Sequence, residues 1–301
     1  MTKNLGKTTS LMNKKREEQA LGYFFILPVA VVILVLVYYP MIQGFNMSLH
    51  SLNYSQGASN AFIGFKNYLQ VLKNSDTLYT AANSALYLVI NLILQLSLGI
   101  LFAITLNRRF KGRGILLALA ILPWALPGIV SGILWSRIFN PDNGLLNNIL
   151  FRLGIISHYH FWFSNRFASI FFISIVFAWN NLPLTILTLL AGLQTIPKEL
   201  YDASAVDGAS AYYQFRRITL PLLRPSIAIA LTVSTVNSLG IFDQIYAMNG
   251  VALGTRSLAQ QIYTTTFQQL RFGQGTALAF WLTLITLVIS ITYIRNLRTA
   301  R

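Results

Sequence analysis

The sequence contains no cysteine, which excludes disulfide frameworks, thiol nucleophiles and every metal site built on thiolates. Charge is scarce as well. Only 10% of the 301 residues are Asp, Glu, Lys or Arg, against roughly a quarter in soluble domains. Acidic groups are scarcest: there are 8, beside 23 Lys and Arg, and only 3 His. No span carries paired carboxylates, an HExxH run or a nucleophile elbow, so the chain offers no constellation for a membrane-embedded enzyme. Two of the His, His158 and His160, lie in "SHYHFW", an aromatic stretch that reads as an interfacial loop rather than a metal pair. What is abundant is apolar surface: 54% of residues are hydrophobic and the mean hydropathy is +0.56. These values describe a membrane protein.

Spanning the hydrocarbon takes about 20 mostly apolar residues in a helix. Six segments qualify, at approximately 21–45, 84–106, 115–139, 168–193, 226–246 and 276–294. The first is longer than the core of a signal peptide, and "YYPMIQGF" offers no small-x-small cleavage site, so it is read as a helix. The fifth carries Ser, Thr, Asn and Asp, as a helix facing protein or a water-filled path can. The expected fold is all-α and polytopic, with six transmembrane helices. One transmembrane domain over 21–294 is expected between a basic tail, 1–20, and a short second tail, 295–301.

Basic residues set the orientation. The N-terminal tail, the second-to-third and fourth-to-fifth connections and the C-terminal tail hold 16 of the 23 Lys and Arg. The three remaining connections are longer in total and hold 7. Both termini and the connection over 195–225 are therefore expected in the cytoplasm. Because the cations are scattered among apolar runs, they suit lipid headgroups and not a nucleic-acid surface. Near the N-terminus "LGKTTS" lacks the preceding strand and leading glycine of a phosphate-binding loop, so the chain is not expected to hold ATP. "GIVSG", Gly128 to Gly132, has the spacing of a close helix contact and is read as packing.

The cytoplasmic connection contains "YDASAVDGASAYYQFRRITLPLLRP", Tyr201 to Pro225. Pro197 suits the opening of a helix, with Glu199 and Asp202 complementing its positive end. Tyr201, Ala205 and Gly208 recur at helical spacing and form a face of small and aromatic groups suited to contact with another protein. Gly208 can bend the chain, Ser210 can cap a second short helix, and Pro221 and Pro225 are expected to break the path before the fifth span. An amphipathic helix resting on lipid is an equally natural reading of this periodicity.

Asp202, Ala203 and Ser204, then after three intervening residues Gly208, then after nine intervening residues Ile218, Leu220 and Pro221, closely resemble the EAA motif of permease subunits in binding-protein-dependent ABC importers. Asp202 stands where that pattern has Glu and Ser204 where it has its second Ala. "FIGFKNY" from Phe62, "WSRIFNPDNGLLN" from Trp135 and "IFDQIYAMNG" from Ile241 are similar to stretches of the sugar-transport, maltose-type branch. The resemblance implies a permease that forms the path for a sugar or oligosaccharide together with a second permease subunit, above two ATPase subunits that hold ATP and Mg. It also implies an extracytoplasmic solute-binding protein, a cytoplasmic coupling helix, no cofactor on this chain, and a bacterial or archaeal cytoplasmic membrane. A polyamine, phosphate ester or peptide is the rival cargo, and a passive channel or secondary carrier the rival class; the EAA-like loop argues against the latter. No span holds Lys or Arg centrally, which favours a neutral solute.

Polar groups at membrane depth are the candidates for the path itself. In the fourth span these are Trp179, Asn180 and Asn181, ahead of Pro183; in the fifth they are Asn237, Ser238, Asp243, Gln244 and Tyr246. Amides, a carboxylate and aromatic faces suit a sugar. Hydrogen bonding between helices is the competing role for the three Asn.

Overall fold

A computed structural model describes residue 19 and residues 21–54, 57, 60–249 and 252–298. The basic N-terminal tail, "LGKTTS" and the end of the C-terminal tail lie outside the described residues. Among the described residues, five helices are long and apolar enough to span a membrane: α1 (Leu21–Ser48), α3 (Ser75–Asn107), α7 (Arg166–Gln194), α9 (Ala211–Leu239) and α12 (Phe272–Arg298). A bent pair, α4 (Arg113–Ala125) and α5 (Gly128–Ile138), makes the sixth. Shorter helices connect them: α2 (Lys66–Lys73), α6 (Leu145–Arg152), α8 (Lys198–Val206), α10 (Asp243–Asn249) and α11 (Leu258–Tyr263).

Two apolar clusters at opposite ends order these helices. Leu106, Leu189, Leu193 and Leu223 meet in one; Tyr87, Ile170, Ile173, Ile241 and Ile245 meet in the other. α3 and α7 therefore run parallel, and α9 runs back against both. Between the clusters the three helices share a polar seam, in which the Ser234 hydroxyl donates to Gln95 Oε1 at 2.8 Å and the Thr185 hydroxyl lies 3.4 Å from both. In hydrocarbon such contacts hold helices that no hydrophobic effect drives together. α1 packs little, with nearly every residue exposed, and presents its apolar surface outward.

The third span departs from the straight helix expected over 115–139. It bends by 102° between Ala125 and Gly128. Pro123 and Pro127 lack the amide hydrogens that would continue the ladder, and Leu126 adopts an extended conformation. The freed carbonyls find a donor on α7: Asn180 Nδ2 donates to Pro123 O at 2.7 Å and Leu126 O at 3.1 Å. Asn180 is buried, so the break is satisfied by protein alone.

A second departure concerns Pro221 and Pro225. Both lie inside α9, which runs unbroken from the loop into the fifth span. A π-turn over Phe215–Thr219, with Leu220 N–H reaching back to Phe215 O, precedes Pro221. That wider turn accommodates a proline where an α-helical ladder would clash. The fifth span also ends earlier than the expected 226–246. Gly240 closes α9, and Asp243–Asn249 forms a separate helix, anchored by the Ser257 hydroxyl donating to Ile241 O at 2.6 Å.

Replacing Asn180 with Leu removes the donor to Leu126 O and leaves Pro123 O with only the Leu126 N–H at 3.2 Å, a loss of about 1–3 kcal/mol. We expect Asn180→Leu to lower the Tm of the detergent-solubilised protein, and Asn180→Gln to recover part of it. An unchanged melt for the Leu variant would show that the break does not depend on Asn180.

Candidate functional site

The bent span, α7, α9 and α10 enclose a cavity of about 320 Å³. Its walls include Asn180 and Asn181 from α7, Asn237 from α9, and Asp243 and Gln244 from α10. Five of the eight polar-path candidates thus converge. Asn237 Nδ2 donates to Asn181 Oδ1 at 3.2 Å, and Asn181 Nδ2 donates to Phe177 O at 3.0 Å. These amides therefore tie helices together and also present their remaining lone pairs and hydrogens to the cavity. Phe177 and Phe242 supply apolar faces beside them.

Three candidates are not in the walls. Trp179 points toward Trp135, 5.5 Å away edge to face, and borders a separate apolar hollow with Phe102 and Leu116. Its ring is thus turned to that hollow and not to the cavity lined by Asn180 and Asn181. Ser238 is fully buried, one position past Asn237 on α9. Tyr246 stacks on Phe242 at 5.6 Å and 12°, so it supports a wall residue without reaching the cavity.

The sequence reasoning missed Gly128, Val236, Gly240 and the two Phe as wall residues. The signal for the glycine was present in "GIVSG". A Cβ on Gly128 would lie 2.7 Å from Asp243 Oδ2, and one on Gly132 would lie 2.6 Å from the Ala247 Cβ. The absence of side chains there lets α10 close against α5 and brings Asp243 and Gln244 over the cavity.

At the far end of α9, α8 stands out from the bundle. Pro197 precedes it in an extended conformation, and Asp207 follows it. Gly208 then turns the chain at φ +76°, a left-handed conformation that side chains disfavour. Ser210 caps α9 by accepting from Tyr213 N–H at 3.3 Å, as its position in the sequence led us to expect.

The expected docking face is rotated, however. Tyr201 turns inward: its hydroxyl meets the Thr219 hydroxyl at 2.9 Å, and its ring packs on the cluster around Leu193 and Leu223. Ser204 is also drawn in, accepting from Gln214 Nε2 at 3.0 Å. The outward face is Asp202, Ala203, Ala205 and Val206, with Val206 88% exposed. Ile218 and Leu220 pack on the same cluster as Tyr201, while Pro221 sits half-buried in the first turn of the α-helical part of α9. α8 is thereby fixed to α9 by hydrogen bonds and apolar contact.

Comparison with known proteins places this arrangement in a family. Residues 95–298 match the model of the "binding-protein-dependent transport system inner membrane component". The chain is 36% identical over 282 residues to the trehalose/maltose transport system permease protein MalF of Thermococcus litoralis, covering 93% of this chain and 95% of that protein. It is 32% identical over 284 residues to the sulfoquinovosyl glycerol transport system permease protein SmoG of Agrobacterium fabrum, covering 94% and 92%. A crystal structure of a bacterial ABC transporter involved in the import of the acidic polysaccharide alginate shares the fold, with a TM-score of 0.77 at 23% identity over 95% of this chain and 98% of that one. The helices that line the cavity and the loop that carries α8 all fall within the matched region, and the chain belongs to the family of binding-protein-dependent transport system inner membrane components.

Proposed function

We propose that this chain is the permease subunit of an ATP-driven importer for a sugar or oligosaccharide. In that role it acts with a second permease, two ATPase subunits that hold ATP and Mg, and an extracytoplasmic binding protein. The observation that carries the reading is the continuity of α9. One helix of 29 residues bears Thr219, bonded to Tyr201 of α8, near one end and Asn237 of the cavity near the other. At 1.5 Å per residue it spans roughly 40 Å. A push on α8 is therefore delivered to a cavity wall by a rigid rod, as coupling between an ATPase and a transport path requires.

The charge distribution supports an orientation with the α8 end in the cytoplasm, and both termini with it. Asp202, Ala203, Val206 and the turn at Gly208 form the coupling surface, with Ser204, Ile218, Leu220 and Pro221 fastening it to the bundle. The cavity supplies amide groups beside two phenyl rings, which is sugar chemistry. The relatives named for trehalose/maltose and sulfoquinovosyl glycerol favour the same cargo class over a polyamine or peptide. No catalytic group is required of this chain, because ATP hydrolysis belongs to the partner subunits.

Two substitutions test the two ends separately. Val206→Glu on the exposed face of α8 is expected to abolish copurification of the ATPase and cut uptake at least about tenfold, while the second permease stays bound; an ATPase retained at wild-type yield contradicts the coupling role. Asn237→Ala is expected to leave the whole assembly intact and reduce sugar uptake by about tenfold, the scale of one lost hydrogen bond in a recognition site. Unchanged uptake in radiolabelled-sugar assays would remove Asn237 from the path.

A further inference from the structure

The cavity and the loop leave one polar feature of the molecule unused. At the end opposite α8, a cleft of about 400 Å³ opens between α2, the start of α3, the segment Leu258–Gln268 and the start of α12. It adjoins a second hollow of about 230 Å³ that also includes Lys66, and Gln70, Arg271 and Gln274 line both.

Several polar groups of the cleft already have partners. Gln274 Nε2 donates to Gln70 Oε1 at 3.0 Å. Gln261 is only 4% exposed; its Oε1 accepts from Arg256 Nη1 at 2.9 Å and its Nε2 donates to Thr265 Oγ1 at 3.3 Å. Arg271 differs. It is half-buried where the two hollows meet, and its Nε is shut off from water with no hydrogen-bond partner among the described residues. A guanidinium carries only donors, and because Arg271 lines both hollows an acceptor entering them can pair with it. The surroundings favour a negative one: Lys66, Lys73 and Arg271 face a single carboxylate, Asp76.

We propose that this cleft receives an acidic side chain of the extracytoplasmic binding protein, whose carboxylate pairs with Arg271. The proposal rests on the importer reading above, under which this end of the molecule faces outward. A carboxylate matches the planar fork of Arg in a two-point contact. The walls contain no aromatic ring on which a pyranose could stack, which distinguishes the cleft from the cavity at Asn237. Lys66 and Lys73 supply a positive rim that steers an acidic surface into register.

The test uses the whole transporter in nanodiscs, with the binding protein that copurifies with it, and measures their affinity by surface plasmon resonance at low and high salt. Arg271→Gln is expected to weaken association about tenfold or more and to flatten its salt dependence. Arg271→Lys is expected to retain part of the affinity, with melting temperature and ATPase content unchanged in both variants. Equal affinity of the wild-type and Arg271→Gln transporters overturns the proposal while leaving the importer reading intact. So does tight binding of D-galacturonate to the isolated wild-type permease but not to Arg271→Gln, which would assign the cleft to a sugar acid. If no binding protein is recovered with the wild-type transporter, even after cross-linking, the importer reading falls and the proposal with it.

Discussion

The structure depends on one constraint: a backbone carbonyl at membrane depth has to find a donor within the protein. A straight third span would satisfy its own ladder and would leave no room beside α7. The prolines at 123 and 127 forgo that ladder, and Asn180 makes the result tolerable by donating to Pro123 O and Leu126 O. With the break made by the prolines and satisfied by this side chain come the 102° turn of the span, the position of Gly128 at the cavity and the surface on which α10 rests. Asn180 borders the cavity as well, so the group that stabilises the break also belongs to the space the break creates.

The remaining helices convert that local feature into a connected machine. α9 joins the cavity to the protruding α8 as one continuous helix, in which the π-turn at Phe215–Thr219 accommodates Pro221. α8 is not a loose loop on the headgroups. Tyr201 and Ser204 hold it to Thr219 and Gln214, and its apolar contacts merge with the cluster that also binds α3 and α7. Val206 is exposed on a helix tied to the bundle in this way, which is the placement that the proposed coupling contact requires.

Much of this was legible in the sequence. Apolar length identified the spans, and the pattern Asp202–Ala203–Ser204, Gly208, Ile218, Leu220, Pro221 pointed to the family that the comparisons then established. Polarity at membrane depth pointed to Asn180, Asn181 and Asn237, and all three line the cavity. The errors share a cause: each depended on where a helix stops or turns. Pro123 and Pro127 break a span, whereas Pro221 and Pro225 lie inside one, and the π-turn that accommodates Pro221 is announced by no residue type. Polarity alone selects Trp179 and Ser238 too, but the first packs against Trp135 and the second is fully buried, contacts that only the fold fixes. Tyr201 was read as a docking residue because its partner, Thr219, lies 18 positions away and only the fold brings them together.

The account's central claim is that the space beneath the broken span is the route of the sugar. The chain has no cysteine, so a single cysteine at Gly240, in the cavity wall, is its one thiol, and labelling in the assembled transporter is read on this subunit after the subunits are separated. The measurement is its rate of reaction with a water-soluble maleimide, with and without the sugar carried by the copurified binding protein during ATP turnover. The account predicts reaction from the aqueous phase and clear protection by that sugar. A cysteine that stays inert throughout, or that reacts equally fast with the sugar present, would contradict it.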